Sequence, residues 1–183
     1  MPGGALVNEF ESVGVDIKWR GRIFTVGVER FRRRGDGEIS REKVWHPGAV
    51  AMLAVDEQHV WLTRQPREAV GERSSLEVPA GKLDVEGESP AHGAARELSE
   101  EVGKRAARWE ELMWFYTSPG FSDERIYLYL ATGLSDDPDG HPDEGELIDI
   151  VPWPRDRLDA AIAECRDAKS LIALLWLQSH PDR

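Results

Sequence analysis

The chain holds one cysteine, Cys165. No intramolecular disulfide can brace it, and a lone thiol in a C-terminal helical stretch reads as a buried structural group, not a nucleophile. Long apolar runs are missing too. None outlasts Leu171–Leu177, far short of the roughly 20 residues a helix needs to cross a bilayer. The N-terminus lacks a basic region followed by an apolar one, so no signal peptide is expected and the default location is cytoplasmic. Positive charge is scarce: 23 Lys and Arg against 34 Asp and Glu give a formal net charge of −11. That argues against nucleic acid as the main partner, because a surface that tracks phosphates is basic. It does not exclude a small anionic substrate, since bound metal and a few arginines can invert the local field. No internal repeat or low-complexity tract occurs.

What is present is an ordinary globular composition, 31% charged and 40% hydrophobic over 183 residues, enough for one sizeable core with a small appended element. Val13, Val15, Ile17 and Trp19 alternate as in a strand, Arg20-Gly21-Arg22 turns, Ile23–Phe31 suggests a second strand and Ile39–Trp45 a third. Three short strands make a poor independent core, so residues 1–47 should pack on a partner or a second subunit. From residue 48 onward Ala49–Val55 is apolar without a break, as in a strand buried on both faces. Val60–Thr63 should pair with it, and Ser75–Val78 should lead into a Pro79-Ala80-Gly81 loop. Strands are expected at about 111–117 and 125–132, a polar loop over Ser135–Gly145, a last strand at Ile148–Trp153, and helices near 155–165 and 168–179. Strands mixed with a few helices imply a layered α/β sandwich with a mixed sheet.

The richest stretch runs from Gly81 to Gly103. Ser89 is a favourable N-cap, Pro90 suits the first helical position and Gly103 a left-handed stop, which predicts a helix over 90–102. Glu97, Glu100 and Glu101 then share one exposed face at i, i+3 and i+4, where like charges repel. A divalent cation is the natural compensation, and all-oxygen ligands select Mg²⁺ or Mn²⁺ over zinc. Such ions keep water and substrate phosphates in their remaining positions, which points to phosphate-ester or pyrophosphate chemistry. The same stretch taken alone also reads as a solvated, salt-bridged helix face.

Gly81, Glu88, Arg96-Glu97-Leu98-Ser99-Glu100-Glu101-Val102-Gly103 together resemble the Nudix box, the signature of hydrolases that cleave nucleoside diphosphates linked to another moiety. Two departures stand out. Six residues separate Gly81 from Glu88 where the box has five, a change that a loop tolerates, and Lys104 replaces the final hydrophobic residue. Further along, His46-Pro47-Gly48, Leu62–Arg67, Leu76–Asp84 and Ser118–Glu124 resemble the ADP-ribose pyrophosphatase branch. Pro119, sixteen residues after Gly103, stands where that branch has its marker proline, and Pro66 stands where most relatives have Tyr.

The resemblance implies a Nudix-type α/β/α sandwich preceded by a small N-terminal antiparallel sheet, and Mg²⁺-dependent cleavage of ADP-ribose to AMP and ribose 5-phosphate. Other nucleoside diphosphate sugars, dinucleotides, or a catalytically silent ADP-ribose sensor are the alternatives. Glu97, Glu100, Glu101 and the Ala80 carbonyl would hold two or three Mg²⁺ ions, with Mn²⁺ as a substitute, and Glu97 and Glu101 would be catalytic through them. Gly81, Glu88, Arg96 and Gly103 would frame the box. Arg96 has two readings, phosphate contact or carboxylate orienter, and the second is preferred. Glu146, or else Glu144, would supply the general base from the polar loop. Phe24, Trp45 or Trp19 would stack on adenine. Arg64, more weakly Arg41, and the Ser118-Pro119-Gly120 turn would contact the rest of the substrate. A homodimer that exchanges its N-terminal segment would complete the site.

Overall fold

A computed structural model of the chain describes residues 10–33, 37–140 and 147–183. Their contacts form two units. One takes the described residues up to Pro47 together with Ser118–Glu124, the other Gly48–Thr117 with Arg125–Arg183.

The first unit is an antiparallel sheet in the order β1 (Phe10–Arg20), β2 (Thr25–Arg33), β3 (Gly37–Trp45). The Gly21 amide donates to the Phe24 carbonyl at 2.9 Å and closes its first turn. Ser118–Glu124 is tied to the end of β3. Val44 N–H donates to the Phe121 carbonyl at 2.8 Å, Asp123 N–H donates back to Val44 at 3.2 Å, and the Asp123 carboxylate accepts from the His46 amide at 2.9 Å. Phe10, Val15, Trp19, Ile23 and Phe24 stay exposed, so within its own unit this sheet leaves apolar surface uncovered.

The second unit contains β4 (Ala49–Val55), β5 (His59–Arg67), β6 (Glu72–Glu77), β7 (Ala80–Lys82), α1 (Pro90–Val102), β8 (Lys104–Tyr116), β9 (Arg125–Asp136), β10 (Asp149–Pro154), α2 (Leu158–Glu164) and α3 (Ala168–Ser179). Its seven strands run β10-β5-β4-β9-β8, with β6 paired to β5 and β7 to β4. β4 and β9 are parallel, and the other named pairs are antiparallel.

β4 organises the layers. Ala49, Ala51, Leu53 and Val55 pack in one cluster with Ala161, Cys165, Ala173, Leu174 and Leu177 of the α2–α3 side. Val50, Met52 and Ala54 pack in the other with Ala94, Leu98 and Val102 of α1. Successive side chains of a strand point to opposite faces, so an unbroken apolar run serves two helical layers at once. Each fully buried large side chain, such as Met52 or Leu53, contributes roughly 1.5–3 kcal/mol. Cys165 lies in the α2–α3 cluster, 1% exposed, with its thiol donating to the Leu76 carbonyl at 3.3 Å.

Several elements differ from the sequence expectation. β8 begins at Lys104, not near 111, and β9 continues through Asp136. The reason is pairing: Lys104 faces Asp136 and Arg108 faces Thr132 across the ladder. An edge strand can carry charges where a central one carries alternating apolar residues. Ala80–Lys82, expected as loop, pairs with β4 as a short strand. The helix expected from 155 starts as a 3₁₀ turn over Arg155–Arg157, and α2 follows from Leu158.

Candidate active site

α1 is built by its caps. The Ser89 hydroxyl accepts the His92 amide at 3.3 Å, Pro90 occupies the first turn, and Gly103 closes the helix at φ 63°, ψ 35°, its N–H reaching the Leu98 and Ser99 carbonyls. The buried Ala94, Leu98 and Val102 turn one side toward β4, which sets Arg96, Glu97 and Glu100 along the accessible side.

Arg96 ties this side together. Its Nε and Nη2 donate to the two oxygens of Glu88 at 3.1 Å each. Its Nη1 donates to Glu97 and to Glu100, both at 2.8 Å. These bonds, Glu88's first, raise the Arg96 pKa above its ordinary value against the opposing effect of burial. One guanidinium thus serves three carboxylates, and a fourth, Glu101, lies beside them. The cluster keeps an excess of negative charge that favours a bound cation.

Two carboxylates lie against consecutive residues of β7. A Cβ on Gly81 would fall 1.8 Å from the carboxyl carbon of Glu97, so Glu97 occupies the space a side chain there would fill. Glu101 accepts the Ala80 amide at 2.9 Å. It is 5% exposed, which corrects the expectation that it stands on an exposed face: Glu101 turns inward from α1 to meet the strand. Ala80 sits opposite Ala51, while Pro79 and Leu83 bond to either side of that pair. In that register the N–H and C=O of Ala80 both point away from β4. Among the described residues, no three His, Cys, Asp or Glu side chains form a ready cation cage. The donors nonetheless suit a hard divalent ion: they are all oxygen, two carboxylates meet one backbone segment, and Arg96 steadies a third.

The far end of α1 is clasped by Asp137, which the sequence reading did not single out. Ser99 Oγ donates to it at 2.7 Å and Arg105 Nε at 2.6 Å, while its own amide donates to the Gly103 carbonyl at 2.8 Å. The Arg105 bond, then that of Ser99, holds the Asp137 carboxyl below the ordinary range. Lys104, the odd residue of the box, lays its ammonium 4.0 Å from the Trp61 ring centre and pairs with Asp136 at 2.5 Å. The charge therefore lies against the face of the indole, where the ring quadrupole attracts it.

Other sequence candidates lie elsewhere. Arg64 shares its side of β5 with Val60 and Leu62, the α2–α3 side, where it pairs with Glu164 and donates to the Ser74 carbonyl at 3.3 Å. In the first unit Phe24 packs on Trp19 with ring centres 5.4 Å apart, Lys43 lies 5.0 Å from the Trp45 ring, and Arg41 donates to the Ser40 carbonyl. The Ser118 carbonyl accepts from Phe121 and Ser122, closing a turn over Pro119 and Gly120. Glu144 and Glu146 lie outside the described residues.

A second ionic cluster also escaped the sequence reading: Glu77 and Lys169 are buried, and Arg67 and Asp167, which pair with them, are partly exposed. Its signal was an acid, Glu77, set between apolar Leu76 and Val78 in a strand.

A profile of the NUDIX domain matches residues 45–174. The chain belongs to the Nudix hydrolase family. This Nudix protein is similar to an ADP-ribose pyrophosphatase of Mycobacterium tuberculosis (strain ATCC 25618 / H37Rv), 42% identical over 143 residues, 76% of this chain and 69% of the relative. It is also similar to a methanol dehydrogenase activator of Bacillus methanolicus, 38% identical over 174 residues and 93% of each chain. A crystal structure of an ADP compounds hydrolase superposes with a TM-score of 0.80 at 24% identity, covering 94% of this chain and 96% of the other. The mixed α/β sandwich with its separate small sheet is therefore the shared fold. The family's chemistry, hydrolysis of a diphosphate linkage with a divalent cation, is this chain's chemistry.

Proposed function

We propose that this Nudix enzyme hydrolyses ADP-ribose to AMP and ribose 5-phosphate, using two or three Mg²⁺ ions. The observation that carries this reading is the placement of Glu97 on Gly81 and Glu101 on the Ala80 amide, with Glu100 drawn in by Arg96. The relative named ADP-ribose pyrophosphatase supports the substrate. Other nucleoside diphosphate sugars and dinucleotides are the near alternatives.

Glu97, Glu100, Glu101 and the Ala80 carbonyl hold the ions, for which Mn²⁺ can substitute. Bound there, they neutralise the diphosphate and make water a better nucleophile. Arg96 orients the carboxylates through its grip on Glu88, and does not bind phosphate itself. Glu146, with Glu144 as the alternative, takes the proton of the attacking water. Water adds to one phosphorus as its bond to the bridging oxygen breaks, and that oxygen leaves on the other phosphate. Phe24, Trp45 or Trp19 stacks on adenine, and Arg64, Arg41 and the Ser118–Gly120 turn contact the rest of the substrate. A second copy of the chain covers the apolar residues that the N-terminal sheet leaves exposed, and the enzyme works in the cytoplasm.

The relative named as a methanol dehydrogenase activator favours a second reading, a regulator that binds the same ligand and acts through a partner. Incubation with ADP-ribose and Mg²⁺ separates the two. Catalytic release of AMP supports the hydrolase, while stoichiometric binding without turnover supports the regulator. A turnover panel over nucleotide-linked sugars and dinucleotides fixes the preferred substrate.

A further inference from the structure

Glu100 and Glu101 occupy the last turn of α1, which ends at Val102. A last turn is where a helix frays and where its carbonyls lack partners within the helix. Carboxylates that must meet a divalent ion tolerate little such play. In this protein the turn is held by a short segment that follows β9.

Asp137-Pro138-Asp139-Gly140 has the residues of a tight turn, with an acid first, proline second and glycine fourth. The Gly140 amide donates to the Asp137 carbonyl at 3.2 Å, and the Asp139 amide donates to the Asp137 carboxylate at 3.2 Å. This turn lies directly on Ser99, the residue before Glu100. A Cβ on Gly140 would fall 2.1 Å from the Ser99 carbonyl oxygen, so only glycine fits there. The Ser99 hydroxyl donates to Asp137 at 2.7 Å, and the Asp137 amide donates to the carbonyl of the Gly103 cap.

Neither side chain of that bond is chosen for helix stability. Asp137 stands at the negative end of the α1 dipole, where an acid is unfavourable, and its partner Arg105 is largely exposed. Serine is a poorer helix former than alanine. What the two residues supply together is a fixed position for the end of α1.

We propose that Asp137 is a positioning residue: through Ser99 it fixes the last turn of α1, and with it the carboxylates of Glu100 and Glu101 that serve a divalent cation. This rests on the reading of Glu100 and Glu101 as metal ligands. The test is Mn²⁺ binding to the metal-free protein, followed by the electron paramagnetic resonance of free Mn²⁺. Substrate is left out, and the temperature is one at which circular dichroism shows each variant folded.

S99A is expected to weaken Mn²⁺ binding by about tenfold, the low end of the cost of losing a group that orients metal ligands. Alanine favours the helix more than serine does, so a role in helix stability alone predicts unchanged or tighter binding, and that result overturns the proposal. S99T keeps the hydroxyl and is expected to bind like the wild type; a loss equal to that of S99A overturns it. G140A pushes the turn off Ser99 without touching a carboxylate and should weaken binding as S99A does, whereas normal binding counts against the proposal in the same way. D137A should bind at least as weakly as S99A, and adding S99A to D137A should cost little more, because both act through one bond. Additive losses overturn the proposal. Should D137A fail to fold, S99A and S99T decide by themselves. E101Q separates this proposal from the reading beneath it. If E101Q loses Mn²⁺ while S99A binds it normally, the positioning role alone is wrong; if E101Q binds normally, the ligand assignment is wrong.

Discussion

The carboxylate of Glu97 fills the space left by the missing side chain of Gly81. The glycine is needed there for volume and not for an unusual backbone angle, since Gly81 is absent from the positive-φ residues. Gly81→Ala should therefore fold, with a stability change within about 1 kcal/mol, while displacing Glu97. Turnover of ADP-ribose is expected to fall roughly 10–100-fold, as for other disturbed metal ligands. A variant with wild-type kcat would show that Glu97 works from some other position.

Arg96 should not tolerate lysine. A lysine carries the charge but cannot reproduce the two parallel bonds to Glu88 while also reaching Glu97 and Glu100. Arg96→Lys is expected to lower kcat by about tenfold or more with a smaller change in KM, because the substrate does not touch the lost fork. A rise in KM with kcat unchanged would transfer Arg96 to phosphate binding.

Glu101→Gln keeps an oxygen acceptor for the Ala80 amide while removing the charge. The far-ultraviolet circular dichroism should match the wild type, and activity should fall on the order of 100-fold. Glu146→Gln should lower turnover more than substrate affinity. An equal effect from Glu144→Gln alone would move the base to that residue.

Acid should expose the Glu77 cluster. Burial pushes the Glu77 carboxyl up, but the bonds and charges of Arg67 and Lys169 outweigh it and lower its pKa from 4.5 to about 2. A depressed folded-state value means the stabilisation is fully present above about pH 4.5 and is lost as pH falls toward 2. The size is about 3 kcal/mol by linkage. Urea denaturation of the wild type and of R67M/E77L/K169M across that window checks it. The triple variant should lack this part of the acid sensitivity, and parallel pH profiles would remove Glu77 from the account.

The parts legible in the sequence were those encoded locally. Ser89, Pro90 and Gly103 bound α1 by themselves, and the unbroken apolar run of β4 announced burial on both faces before any partner was known. Features that depend on distant pairing were not legible. Lys104–Arg108 looks like a charged linker until Thr132–Asp136 pairs with it. Lys169 meets Glu77 across 92 residues of chain, and no periodicity records that. Glu101 could be placed among the box carboxylates by spacing, but its inward turn follows from the Ala80 amide, which only the β4–β7 pairing fixes.

The solitary thiol gives the molecule a built-in gauge of opening. Cys165 is sealed beneath α3 against β6, and burial pushes its pKa above the ordinary thiol value. Alkylating reagents therefore reach it when the α2–α3 layer lifts from the sheet, and the labelling rate counts those excursions without any engineered probe.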